Sequence, residues 1–263
     1  MNIPTLPRSL RWLTLLLMCP LSAAGAATTR AASPVPPLVF VQGFDTRSIA
    51  GWTVHINQKL LEKDSALTEK AVSLLTQQLQ AIDRVVPAGP LAHLQKVTLW
   101  VDPEYPHTPP RAEYHPDAGW LREHGRDPRM AKGIEITNVR IFQAECRRMP
   151  WFILHELAHA YHDQVLGFDQ PDIIAAYKHA VASGTYNAVE RFHGDPSRPN
   201  TVERAYAMTN EKEYFAEDTE AFFGRNDFFP FTRAQLRKHD PEMFELLKRV
   251  WQVSDEQASG DSK

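Results

Sequence analysis

Hydrophobic and polar positions divide this chain into two stretches of different character. From Trp52 to Asn57 they alternate, the period of a strand with one buried face. Leu67, Ala71, Leu74, Leu75, Leu79 and Ile82 then recur at helical spacing on one face, and Pro87 ends that helix. Val97–Val101 is an apolar run of strand length. A loop rich in proline follows, with Pro103, Pro106, Pro109, Pro110 and Pro116. Alternation returns over Gly133–Asn138, which predicts a third strand, half exposed and suited to a sheet edge. After about residue 148 the pattern becomes helical. Pro150 suits the first turn of a helix running through residues 151–163. Pro171 opens a second helix that Gly184 can close. Residues 185–205 are polar and loop-like. Asn210 starts a helix to Phe223, closed by Gly224, and Asp240-Pro241 starts a last amphipathic helix carrying Phe244, Leu247, Val250 and Trp251. The polar tail 253–263 predicts disorder. There are no internal repeats. The pattern predicts an α+β fold: a mixed α/β lobe over 38–147, then a helical lobe over 148–252.

The N-terminus has a different pattern. Arg8 and Arg11 precede the apolar run Trp12–Met18, and Ala24-Gly25-Ala26 has the small-x-small form that a signal peptidase accepts. The run is too short for a stable membrane helix, so residues 1–26 are expected to be a cleaved signal peptide and 27–37 a flexible leader. An uncleaved anchor ranks below this. A lipoprotein reading ranks lower still, because Met18 is bulky before Cys19. The expected location is periplasmic or extracellular, with no stable membrane anchor after cleavage. Cleavage would remove Arg8 and Arg11 and no acid, taking 29 basic residues to 27 against 32 acidic ones and the net charge from −3 to −5. No basic stripe is present to hold nucleic acid or an anionic membrane. Loss of Cys19 leaves Cys146 alone, so no internal disulfide is expected. Cys146 has no partner motif around it and reads as a half-buried structural residue. A monomer is expected.

The chemistry concentrates in His155-Glu156-Leu157-Ala158-His159. Histidines at i and i+4 stand one above the other on a helix, so both imidazoles can reach one ion. Glu156 is turned by about 100° from His155, where a general base is needed beside a zinc site. With 11 histidines and 17 glutamates in the chain, a shuffled sequence contains this pattern about 0.03 times. Trp151, Phe152, Ile153 and Leu154 precede it, so the helix is expected to be buried, and buried histidines need partners. Catalytic zinc usually has three protein ligands. His162 is one candidate for the third, though three ligands from one helix strain a tetrahedral site. It fits better at the rim or behind the ligands. The downstream helix offers Glu211, Glu213, Glu217 and Glu220. Many HExxH enzymes place a ligating glutamate there, with an acid four residues on that orients a ligand histidine. Glu213 with Glu217 meets that requirement, whereas Glu211 is followed by Phe215 and Glu217 by Ala221. Alternatively, Asn210 and Glu213 form a capping box.

Tyr206-Ala207-Met208-Thr209-Asn210-Glu211-Lys212-Glu213, taken with the HELAH motif, resembles the gluzincin metallopeptidases typified by the catalytic domain of anthrax lethal factor. In that family a tyrosine stands seven residues before the glutamate ligand, as Tyr206 stands before Glu213. The resemblance covers residues 150–163 and 206–224. It does not extend to the toxin's cell-binding and translocation domains, for which the chain has no room, and it leaves 163–205 unassigned. It implies a zincin-like fold with an edge strand before the metal helix. Zn²⁺ would be held by His155, His159 and Glu213, Glu156 would act as general base, Tyr206 would steady the oxyanion, and Glu217 would orient a ligand histidine. Zinc would acidify a water toward ~7. The expected substrate is a peptide or protein lying along Gly133–Asn138 by strand addition. Glu211 and Glu220 are expected to be nearly silent. Two other functions fit the motif. One is a zinc hydrolase of a non-peptide amide. The other is a secreted metal-binding module, in which Cys146 or His162 would have to close the site.

Overall fold

The first strands, β1 (Phe44–Ile49) and β2 (Trp52–Asn57), form an antiparallel hairpin. Its two-residue turn, Ala50-Gly51, has positive φ at both positions (50° and 93°), which matches the twist of the strands. Asn57 ends β2 and caps α1 (Gln58–Val85) by accepting the amide of Lys59. The helix starts well before Leu67 because Gln58–Lys63 also coil, up to a break at Asp64. Its buried face carries Ala71, Val72, Leu75, Leu79 and Ile82. A short α2 (Ala88–Leu94) follows Pro87, then β3 (Leu99–Val101), β4 (Ala112–Tyr114), α3 (Ala118–Glu123) and β5 (Ile134–Ile136).

This computed structural model describes residues 39–255. The expected signal peptide and leader, and all but Val253–Asp255 of the tail, lie outside the described residues. The sheet runs β1-β2-β3-β5-β4, with β2, β3 and β5 parallel and β4 antiparallel to β5. The segment 133–138 is therefore not an edge: β5 lies between β3 and β4, and all three of its residues are buried. Its alternation misleads because Glu135 is buried too, held by the Tyr105 hydroxyl (2.6 Å), His115 (2.8 Å) and the Arg126 guanidinium. The edge belongs to β4, inside the proline-rich segment.

Trp52, Val54, Ile56, Leu99, Val101, Ile134 and Ile136 face one side of the sheet, where α1 and the later helices cover them. Trp100 points to the other side with Leu121 and Met130. After β5 come α4 (Phe142–Arg148) and α5 (Phe152–Tyr161). Pro150 lies in the turn between them rather than in the first turn of the motif helix. From α5 the chain continues through a π-turn, His162–Leu166, to α6 (Pro171–Ser183), closed as expected by Gly184 at φ 71°. The segment 185–205 is not wholly a loop, since β6 (Val189–Arg191) and β7 (Thr201–Glu203) pair in it as a hairpin.

Asn210 caps α7 (Glu211–Phe223), in which every residue from Tyr214 to Phe223 is buried. Gly224 ends it for a steric reason: a Cβ there would lie 2.0 Å from the Trp151 ring, so only glycine lets the start of α5 dock on the end of α7. A further helix, α8 (Arg233–His239), precedes α9 (Pro241–Val250), whose N-cap Asp240 accepts the amide of Met243. Trp251 stacks on Tyr161 at 4.4 Å and donates to Thr219, so the C-terminal end is locked onto the motif helix. One hydrophobic core extends from Ile49 to Val253, which makes the mixed and helical portions parts of one α+β unit. Among the described residues no helix is long and apolar enough to cross a membrane.

Candidate metal centre

α5 lies against α7 with its histidine face turned to the first turns of α7. His155 is buried, and His159 stands one turn further along at the partly exposed end. Three donor atoms converge here. His155 Nε2 is 3.1 Å from His159 Nε2 and 3.1 Å from Glu213 Oε2, and His159 Nε2 is 3.3 Å from the same oxygen. Two ligands about 2.05 Å from a tetrahedral centre stand about 3.3 Å apart, so these three atoms already have the separation a zinc-like ion requires. Donor type agrees, with two imidazole nitrogens and a carboxylate oxygen. These residues form one of two groupings among the described residues able to hold a metal ion.

Each member is positioned by its own element. Asn210 accepts the amides of Lys212 and Glu213 (2.9 and 3.0 Å) and so begins α7. The capping half of the alternative reading is therefore real, but the Glu213 carboxylate goes to the histidines. Burial pushes its pKa up, yet the bonds from His155 and His159 outweigh burial and hold it below the ordinary carboxylate range. For His155 burial acts downward, and the contacts with Glu213 and Glu220 overcome it and raise the pKa well above its ordinary value.

His155 Nδ1 lies 2.9 Å from Glu220 Oε1, on the opposite side of the ring from the convergence. With Glu220 accepting, Nδ1 keeps a proton, so Nε2 is the nitrogen that would give up its own proton to present a lone pair to a metal. Glu217 does not occupy that place: its nearer oxygen is 3.6 Å from Nδ1, and it accepts instead from Asn226 at 3.1 Å. The expectation that Glu217 orients the histidine and Glu220 is silent is thus reversed in the geometry. The signal was in the spacing. At about 100° per residue, Glu220 falls about 20° off the direction of Glu213 and Glu217 about 40°. Glu220 is buried, and burial pushes its pKa up to about 7. His155, Glu217 and Glu220 make the second possible metal grouping, but it draws on the same imidazole and is closed on all sides. Glu220→Ala is expected to weaken metal binding by about 10- to 100-fold, and Glu217→Ala by less, in a chelator competition titration. The opposite order would return the orienting role to Glu217.

Glu156 is half-buried beside the two histidines. Its Oε2 accepts the backbone amide of Tyr114, in the edge strand β4, at 2.8 Å. Burial raises its pKa against the pull of His155 and His159. Tyr206 lies in a short 3₁₀ turn before α7, is 48% exposed, and brings its ring to 6.5 Å from that of His155. Burial of part of the ring raises its pKa, so the hydroxyl keeps its proton at neutral pH. His155, Glu156 and Tyr206 line one cleft of about 300 Å³.

His162 is neither a ligand nor at the rim. It is fully buried between the rings of Phe168 and Phe215, neither ring nitrogen has a hydrogen-bond partner, and burial pushes its pKa down to about 4. Cys146 is half-buried as expected, with its sulfur 3.2 Å from Gln78 Nε2, and burial raises the thiol pKa. Neither residue belongs to a metal grouping. Sequence reasoning missed Tyr114, whose role uses a backbone amide, and Asp163, which accepts the Tyr114 hydroxyl at 2.5 Å. No family model, curated protein or solved structure matches the chain.

Proposed function

We propose that the chain is a secreted, zincin-like, zinc-dependent endopeptidase of the gluzincin type. The observation that carries this reading is the convergence of His155 Nε2, His159 Nε2 and Glu213 Oε2 at 3.1–3.3 Å, with Glu156 beside them at the edge of a cleft. Two imidazoles and one carboxylate suit Zn²⁺, which when bound supplies a Lewis acid and an acidified water near neutral pH.

Glu156 takes the proton of the attacking water and returns it to the leaving amine. Its bond to the Tyr114 amide holds the carboxylate near the histidines while leaving the second oxygen available. The Tyr206 hydroxyl, protonated and facing the same cleft, donates to the oxygen that becomes negative in the transition state. Glu220 fixes the His155 ring. An extended peptide lies along β4, the sheet's edge strand, in place of the 133–138 segment. A closed structural site would need a fourth protein ligand, and the separation of Cys146 and His162 from the grouping favours the catalytic reading. Secretion rests on the N-terminal pattern alone.

The purified chain should hold about one zinc and cleave members of a peptide library, with cleavage stopped by a chelator and restored by zinc. One zinc and no peptide cleaved would move the assignment to a non-peptide amide. An absence of bound zinc would remove it altogether.

A further inference from the structure

The chemistry above uses His155, Glu156 and Tyr206 but leaves much of the cleft unexplained. Its wall also includes three guanidinium groups, those of Arg111, Arg148 and Arg191. Two of them grip one carboxylate: Arg148 Nη1 and Arg191 Nε lie 3.0 and 3.6 Å from the same oxygen of Asp227. Asp227 is 1% exposed, whereas the two arginine side chains are 29% and 28% exposed. The carboxylate therefore sits behind and the cations in front. Glu145 is the more accessible acid at 22%, and it is already spent on Arg148, whose Nη2 reaches it at 2.7 Å. Glu217 also touches the cleft but is 1% exposed. Arg111, next to the edge strand, is 51% exposed and only 3.9 Å from its nearest acid, Glu113. Glu156 is the fourth acid of the lining and is half-buried, and Glu203, 37% exposed, pairs with Arg191. The cleft therefore carries both signs, and what it offers an anion is the exposed part of the arginine side chains.

These arginines are also held in place. The Arg191 guanidinium lies 4.6 Å over the Phe228 ring and is tied to Glu203 through Nη1 at 3.1 Å. Its residue pairs with Phe228 in an isolated bridge that anchors the β6–β7 hairpin. Arg148 already engages Glu145 and Asp227 with its three nitrogens, so a carboxylate would meet chiefly Arg191 and Arg111, with Arg148 adding its charge. The fixed Arg191 fork can receive it with little further loss of freedom.

Building on the peptidase reading, we propose that Arg111, Arg148 and Arg191 form a carboxylate-binding subsite that selects peptides with a negative charge on a residue adjoining the scissile bond. The carboxylate has two possible sources, a Glu or Asp side chain and the free C-terminus of the peptide.

The test begins with cleavage sites mapped by mass spectrometry in a random peptide library, where Glu and Asp should be enriched on one side of the cut. Matched quenched peptides with Glu, Gln, Leu or Lys at that position should then give a kcat/KM about 10- to 100-fold higher for Glu, the range of a charge-assisted hydrogen bond. Arg191→Met should remove that preference, read as the ratio of kcat/KM for the Glu peptide to that for the Gln peptide. Arg111→Gln, at an exposed position that leaves the Asp227 cluster untouched, should reduce it in the same direction if Arg191→Met fails to fold. Amidated and free-acid peptides ending at the selected position separate the two sources. Equal or faster cleavage of the Leu or Lys peptide overturns the subsite. Binding of N-acetylglutamate, followed through the arginine Nε–H resonances of the zinc-free chain at millimolar ligand, separates this claim from the peptidase reading. Shifts that vanish in Arg191→Met, with no peptide cleaved, keep the subsite and remove the peptidase. An absence of shifts together with no charge preference removes the subsite.

Discussion

Glu156→Gln is expected to keep zinc and fold and to lose about 10²- to 10⁴-fold in kcat, the usual contribution of a positioned general base. The substitution preserves shape, and its amide oxygen can still accept the Tyr114 N–H that Glu156 accepts at 2.8 Å. What disappears is the basic oxygen proposed to take the water's proton. Peptide turnover and metal content, measured on the same preparation, check this. Full zinc with turnover within a few-fold of the unsubstituted protein would exclude Glu156 as the proton acceptor. Loss of zinc would give it a structural part in the site instead.

The second large effect is expected at Glu213. Its Oε2 lies within 3.3 Å of both histidine Nε2 atoms. Glu213→Ala removes one of the three proposed ligands, so metal affinity should fall by more than the roughly 10- to 100-fold that loss of an orienting partner costs. Because metal bound only to the native state stabilises it, a chelator should lower the melting temperature of the wild type and barely change that of Glu213→Ala. Glu211 is the control. Two residues away, it points about 200° around the helix, and Glu211→Ala should bind zinc as the wild type does. A calorimetric zinc titration showing Glu211→Ala as the weaker binder would transfer the ligand role.

Elements announced by local chemistry were legible in the sequence. Pro171 and Gly184 bound α6, and Asn210 and Asp240 cap α7 and α9, because caps and helix breakers act through their own backbone neighbours. The His155–Glu156–His159 arrangement was legible for the same reason, since i,i+4 spacing on a helix needs no tertiary information. The strands β4, β6 and β7 were not, because each has three residues and, unlike β3 and β5, lies among prolines or polar residues with no apolar or alternating run extending past its ends. Glu135 looked like the exposed member of an alternating strand, and only the distant Tyr105, His115 and Arg126 make its burial tolerable. Glu220 was passed over because a partner two helical turns from Glu213 matters only once α5 and α7 are seen to lie side by side. The spacing of His162 suggested a place at the rim of the site or behind the ligands, and the aromatic rings around it become neighbours only through folding.

Tyr114 connects β4 to the motif helix at two places. Its amide goes to Glu156 (2.8 Å) and its hydroxyl to Asp163 (2.5 Å), while Gln164 donates both to that hydroxyl (3.1 Å) and to the carbonyl of Lys132 (3.2 Å). The strand that would receive a peptide and the helix that would carry two of the metal ligands are therefore riveted together, and relative sliding would break polar contacts at both ends. Across the cleft the β6–β7 hairpin is also fixed, with the amides of Phe192 and Phe229 bonded to the carbonyls of Asp227 and Glu190 at 2.8 Å and Val189 buried in the core. On this geometry both jaws are set in advance, and a chain must fit the gap rather than reshape it.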